Sequence, residues 1–309
     1  MSVLSLSTLI STLIYCCDNK KGGVGKTTTA WNLATLLAAI FGWKILLIDL
    51  DSDRCLTDGI GGGGFEAKSL GKQTILDVLI NPKAGFGLAK IPYDLAQFAA
   101  VIPQIAQLAG VTPKAGGVID LVAGSEDLAE APDQFRDFPV TQPVARFEQA
   151  LPWLVRQPEV TDRYDAVFID IGPGWDAVTR SGLFASDYAI VPVRPASLDI
   201  EALKRHQMRI TRANTERARA NLNAWQTKTL GVLISQVDPR SEAQSKIAAD
   251  LRAGLTRSNI PCFATEIPTS DTILVATKDH TPAWAAYPND ASAQQFVKLA
   301  CEVARSRAA

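Results

Sequence analysis

Apolar residues along this chain gather into short unbroken runs, and the stretches between several of them have helical spacing. Runs of this kind occur at about Leu9 to Cys17, 43–51 (WKILLIDLD), 116–124 (GGVIDLVAG), 164–172 (YDAVFIDIG), 187–193 (DYAIVPV), 229–235 (TLGVLIS) and 260–267 (IPCFATEI). Continuous apolar runs without alternation mark strands covered on both faces. Between the first two runs, Trp31, Leu33, Ala34, Leu37 and Ala38 repeat at helical intervals and the pattern stops at Gly42. Strands alternating with helices predict an α/β fold, a doubly wound, mostly parallel sheet with helices on both faces. Residues 1–309 read as a single unit with a short N-terminal extension at 1–8. Residues 61–115 lack clean periodicity and are expected to be helical decoration on the core.

In such sheets ligands bind at the carboxyl ends of the strands. Polar residues cluster at those ends: a glycine-rich loop after the first strand, Asp49-Leu50-Asp51 after the second, and Asp170-Ile171-Gly172-Pro173-Gly174 after a later one. Three separate segments thus point to one site.

Composition narrows the function classes. Formal charge is −1 and pI about 6.2, so attraction to nucleic acid or an anionic membrane requires a local patch. Five cysteines, with Cys16 and Cys17 adjacent, form neither a disulfide framework nor a C-x-x-C site, and the chain reads as cytoplasmic. The apolar segment VLSLSTLISTLIYCC lacks a basic leader region and a small-residue cleavage site, so it reads as an extension followed by a buried strand. No other apolar stretch reaches the roughly 18 residues of a membrane span.

The segment NKKGGVGKTTT (19–29) carries the chemistry. Backbone N–H groups of a glycine turn that opens a helix form an anion cradle, reinforced by the helix dipole. Gly22, Gly23 and Gly25 allow close approach of phosphates, Lys26 supplies a cation to the terminal phosphates, and the Thr27 hydroxyl can ligate Mg2+. Asp170 ends an apolar strand, where a carboxylate can hold a magnesium shell. Two acids, Asp51 and Asp170, converging on a phosphate site are costly unless a metal or water network uses them. The ordinary motif has glycine at position 20, yet Lys20 stands there and a second lysine, Lys21, precedes Gly22.

NKKGGVGKTTTAWNLA resembles the deviant Walker A motif of the ParA/MinD ATPases, in which a lysine before Gly-Gly is the distinguishing residue. The likeness extends to ILLIDLDSD, to YDAVFIDIGPG as a Walker B segment, to DYAIVPVRPASLDIEAL, and to TEIPTSD with its following prolines. It spans roughly residues 9 to 307 and is weakest over 61–115. The resemblance implies ATP and Mg2+ as cofactors, with the loop Lys21, Gly22, Gly23, Val24, Gly25, Lys26, Thr27 and Thr28 around the phosphates. Lys21 would reach the partner's phosphates across an ATP-bound sandwich dimer, while Lys26 acts within its own subunit. Asp51 would orient the attacking water beside the metal, and Asp170 would hold Mg2+ through water. Gln236 or Asp238 would replace the family's adenine-binding asparagine, with Pro268 on the nucleotide-side loop, and Thr269 occupies a position that is commonly basic.

Members of this family differ in what they bind. A bridging iron–sulfur cluster needs cysteines that are missing between Cys55 and Cys262, and the kinase branch needs a tyrosine-rich tail that FVKLACEVARSRAA lacks. MinD-like membrane positioning would use a C-terminal amphipathic helix. Here Phe296, Leu299, Ala300 and Val303 form a narrow stripe that reads as a helix docked on the core, with membrane binding kept as the competing reading. Residues 204–219 hold six basic residues against Glu216, and Arg205, Arg209, Arg212 and Arg219 share one helical face. Glu216, four residues from Arg212, also fits a solvated helix. No helix-turn-helix segment precedes the loop, so the resemblance is to the smaller ParA type. The expectation is a nucleoid-associated ATPase that dimerises with ATP, binds DNA nonspecifically, responds to a ParB-like or other cargo adaptor and moves a cargo.

Overall fold

The computed structural model describes residues 12–62, 65–87, 89–136, 144–196, 199–219 and 225–308, with backbone alone for 199–205 and 308. Its strands are β1 (Leu13–Cys17), β2 (Lys44–Leu50), β3 (Lys90–Tyr93), β4 (Val118–Val122), β5 (Ala166–Ile171), β6 (Tyr188–Val193), β7 (Lys228–Val237) and β8 (Cys262–Pro268). They form one sheet in the order β3-β4-β2-β5-β1-β6-β7-β8. Every pairing is parallel except β3 with β4. The helices of eight or more residues are α1 (Lys26–Phe41), α2 (Ile102–Ala109), α3 (Ala177–Ala185), α4 (Asp199–Arg219), α5 (Glu242–Arg257), α6 (Asp271–Lys278) and α7 (Ala291–Ala308).

The two-residue period of a strand sends alternate side chains to opposite layers. Tyr15 and Cys17 of β1, with Ile45 and Leu47 of β2, pack under α1 and α7. Ile14, Cys16, Leu46 and Ile48 face the other layer, which includes Leu183 of α3 and Ile210 and Ala213 of α4. Because both faces are covered, the runs are apolar throughout, and each buried Leu or Ile contributes about 1.5–3 kcal/mol. Phe296, Leu299, Ala300 and Val303 of α7 are at most 1% exposed, so this stripe is docked on the core, as expected.

The region 61–115 is not helical throughout. Besides short helices it supplies β3, an edge strand whose Pro92 sits opposite Asp120 of β4. Proline lacks an N–H and is tolerated at a sheet edge. The four-residue run KIPY was too short to show a period. At the opposite edge, Glu302 of α7 accepts the N–H groups of Ala264 and Thr265, each at 2.8 Å, which blocks further strand pairing there.

Candidate nucleotide site

β1 runs into the glycine loop at the carboxyl edge of the sheet, between β5 and β6. Gly23 and Gly25 have φ of 67° and 94°, conformations that side chains with a Cβ resist, and Gly25 is the residue from which α1 departs. The loop is tied down from two neighbouring strands, β6 and β7. Asn19 Nδ2 donates to Pro192 O at 2.7 Å, while its Oδ1 accepts Lys21 N–H at 2.9 Å. Ser235 Oγ donates to Val24 O at 2.8 Å, and Gln236 Nε2 donates to Gly23 O at 2.9 Å. Arg194, at the end of β6, donates to the same Gly23 carbonyl. Lys20 and Lys21 are exposed, whereas Lys26 is buried at 7% exposure.

Side-by-side pairing of β1, β2 and β5 places Cys17, Asp170 and Asp49 in one row, with Asp170 in the middle. Thr27 Oγ1 donates to Asp170 Oδ2 at 2.6 Å. Asp170 Oδ1 is buried and accepts no hydrogen bond. Burial, then the neighbouring Asp49 carboxylate, pushes Asp170 up to about 8, against the opposing pull of the Thr27 hydroxyl and the Lys26 ammonium. A buried carboxylate oxygen without a donor, next to a hydroxyl and a lysine, fits a divalent cation or its water shell. Asp51 is half-buried, accepts Asp53 N–H at 3.1 Å, and lies against Gly172, where a Cβ would come within 3.3 Å of its Oδ1.

Asp49, quoted in the motif but given no role by the sequence, is fully buried. Thr57 donates to its Oδ2 through N–H (2.8 Å) and Oγ1 (2.7 Å), and Asp51 N–H donates to its Oδ1 at 3.2 Å. Burial raises its carboxyl to about 6, with those three donors resisting the rise. Arg194 was also missed, although its place at a strand end beside the loop is the signal that marks the other site residues.

On the expected base side the candidate residues have partners of their own. Gln236, in the left-handed region at φ 58°, directs its amide to the phosphate loop. Asp238 is engaged locally with Arg240, whose N–H and guanidinium hold its carboxyl below the usual range. Pro268 ends β8 opposite Val237, and Thr269 N–H donates to Val237 O at 2.8 Å.

The expected stripe on α4 needs correction. Arg209 is 8% exposed and lies 2.9 Å from the fully buried carboxylate of Asp18. It faces the interior because Asp18, at the end of β1, is a buried charge that requires a partner. Burial acts to raise the Asp18 carboxyl, but the hydrogen bond and charge of His206 and the charges of Arg209 and Lys26 hold it below the usual range. Arg217 is 1% exposed and bonds to the carbonyls of Leu183 and Trp225. Arg212 and Arg219 are exposed, and the side chain of Arg205 lies outside the described residues. Arg212 and Arg219, with Arg146 and Arg180, line a cleft of about 380 Å3 that also holds Glu148 and Glu216. Arg180 pairs with Glu148 at 2.6 Å and Arg212 with Glu216 at 2.6 Å.

Known proteins share this arrangement of strands and loop. A family model described as an AAA domain matches residues 12–224. The chromosome-partitioning ATPase Soj of Thermus thermophilus is 30% identical over 236 residues, covering 76% of this chain and 74% of that protein. The chromosome partitioning protein ParA of Caulobacter vibrioides is 29% identical over 290 residues, covering 94% and 93%. The septum site-determining protein MinD from Pyrococcus horikoshii, complexed with Mg-ADP, superposes with a TM-score of 0.63 at 21% identity over 94% of each chain, a likeness of fold. The phosphate loop with its extra Lys21, the row of strand-end carboxylates and these relatives lead to one conclusion: the chain belongs to the AAA-domain family and, within it, to the ParA/MinD ATPases on their Soj-like side.

Proposed function

We propose that this protein hydrolyses ATP with Mg2+, forms an ATP-bound sandwich dimer, binds DNA nonspecifically, and partitions or positions a cargo with an adaptor that stimulates hydrolysis. The observation that carries the nucleotide reading is the Thr27–Asp170 pair, with Asp170 Oδ1 bare beside the buried Lys26. Relatives whose names include chromosome-partitioning ATPase, and a neighbour crystallised with Mg-ADP, support it.

Each residue then has a task that its position allows. The N–H groups of residues 22–28 cradle the phosphates at the start of α1, and Lys26 neutralises their charge. Mg2+, when bound, would offset the negative charge of the phosphates. Thr27 and Asp170 would hold that ion's shell, and Asp51 would orient the attacking water. Lys21 acts on the partner's nucleotide, so its charge reaches the phosphates only in the dimer. Gln236, Asp238 and Pro268 stay on the base side of this reading, with Gln236 also fixing the loop.

The DNA surface of this reading is the arginine cleft with Arg212 and Arg219, because guanidinium groups match phosphate geometry and Arg209 is committed inside. No helix among the described residues is long and apolar enough to cross a membrane. Co-sedimentation with DNA and with anionic vesicles, each with ATP, ADP or no nucleotide, tests the reading alongside size-exclusion chromatography. ATP-dependent dimers retained by DNA are expected. Retention by vesicles and not by DNA would replace it with MinD-like membrane positioning.

A further inference from the structure

Between the phosphate loop and α4 lies a buried charged cluster to which the ATPase reading assigns no task. Asp18 is 0% exposed and stands one residue before Asn19, whose side chain holds Lys21 N–H and Pro192 O. Its Oδ2 meets His206 Nδ1 at 2.8 Å, and its Oδ1 lies 2.9 Å from Arg209 Nη2. The other ring nitrogen of His206 faces Thr229 Oγ1 at 3.2 Å. Arg209 does more than neutralise Asp18. Its Nη2 donates to Gly174 O at 3.0 Å and its Nη1 to Pro173 O at 3.4 Å, while its guanidinium lies 5.3 Å from the centre of the Trp175 ring.

Buried ion pairs are weak contributors to stability, because desolvation offsets much of their attraction. A cluster of this kind is better suited to fixing geometry. The segment Pro173–Gly174 continues directly from Gly172, whose backbone packs against the Asp51 carboxylate. Arg209 therefore joins two walls of the site: the end of β1 that launches the phosphate loop, and the turn after β5 that sets the backbone beside Asp51.

We propose that Arg209, held by Asp18, is a positioning residue for ATP hydrolysis, fixing the 172–174 turn so that Asp51 meets the attacking water in register with the phosphate loop. The assignment rests on the ATPase reading. A lysine at this position can pair with Asp18 as a point charge but lacks the planar, two-nitrogen fork that spans Asp18, Pro173 O and Gly174 O. Misplacement of a reacting group by about 1 Å costs on the order of 100-fold in rate.

The test is single-turnover hydrolysis of ATP, whose first-order rate constant does not depend on the fraction of active protein, measured beside nucleotide affinity. Arg209→Lys is expected to bind ATP within about twofold of wild type and to hydrolyse it at least tenfold more slowly. Thr229→Val, which alters only the far end of the cluster, is expected to keep the wild-type rate constant. Should Arg209→Lys fail to fold, Asp18→Asn carries the same expectation, since it leaves the guanidinium in place and removes the charge that holds it. A wild-type rate constant in the folded variant, or an equal loss in Thr229→Val, would overturn the proposal while leaving the ATPase reading intact. Absence of hydrolysis by the wild-type protein would overturn both.

Discussion

Thr27 Oγ1 donates to Asp170 Oδ2 at 2.6 Å, linking the first turn of α1 to the end of β5 across the carboxyl edge of the sheet. The bond leaves Asp170 Oδ1 as the buried oxygen without a donor. Thr27→Val keeps the shape of the side chain and removes the hydroxyl. Hydrogen bonds to charged groups are worth about 1.5–3 kcal/mol, so Mg2+-dependent ATP affinity is expected to fall roughly 10–100-fold. Affinity measured in EDTA should hardly change. Titration of a fluorescent ATP analogue with and without Mg2+ reads both, and an equal loss in the two conditions would mean that the hydroxyl serves the loop and no metal.

Lys26 and Asp51 should separate binding from hydrolysis. Lys26→Ala removes the buried cation of the cradle and is expected to abolish detectable ATP binding. Asp51→Ala leaves the cradle whole and removes the carboxylate beside Gly172, so ATP binding persists, hydrolysis slows and a dimer accumulates. Size-exclusion chromatography with ATP and Mg2+ should show that dimer. A monomer with normal turnover would return Asp51 to an ordinary solvated acid.

Asp49 offers a test of stability. Thr57 gives it two of its three donors and also accepts Gly124 N–H at 2.8 Å, so one hydroxyl serves both a buried acid and a loop. Thr57→Val removes that hydroxyl and leaves both partners short. The expected cost is about 1–3 kcal/mol in urea unfolding, the usual range for a buried polar group left unsatisfied. A change within a few tenths of a kcal/mol would mean that water or a rearranged side chain replaces the hydroxyl.

The sequence shows much of this architecture because parallel strands buried on both faces announce themselves as unbroken apolar runs. The order of segments and the strand-end rule then bring Lys26, Thr27, Asp51 and Asp170 to one edge. What it hides is direction around α4. Arg209 and Arg212 are three residues apart and look equivalent on a helical wheel, yet one points to Asp18 and the other to the surface cleft. Nothing in the local spacing says that Asp18, far earlier in the chain, is a buried charge. β3 is hidden for a different reason, since four residues with a central proline carry no period.

Gln236 shows how a base-side expectation can be separated from a loop-holding role. Its amide reaches Gly23 O at 2.9 Å from a backbone at φ 58°. If holding the loop is its main task, Gln236→Ala should weaken ATP and GTP binding by similar factors, near the ~1 kcal/mol of a neutral hydrogen bond. Competition binding with both nucleotides measures the ratio. Loss confined to ATP would instead assign the amide to the adenine.

The arginine cleft separates DNA binding from dimerisation. Arg180 and Arg212 are paired with Glu148 and Glu216, whereas Arg146 and Arg219 have no carboxylate partner among the described residues. These two are therefore the charges most available to phosphate. Each phosphate contact that a protein neutralises contributes a slope of about −0.9 to the logarithmic dependence of DNA affinity on salt. Reversing both, as Arg146→Glu with Arg219→Glu, should flatten that slope by about 2 per protomer and weaken retention at low salt, with the ATP-dependent dimer unaffected. In the proposed dimer two clefts would face one duplex, so the loss should be larger for the dimer than for the monomer. Arg209→Lys keeps its charge inside and should leave the salt slope unchanged, which distinguishes a surface contact from the buried tie. Equal retention of the charge-reversed variant and wild type at every salt concentration would move the DNA surface away from this cleft.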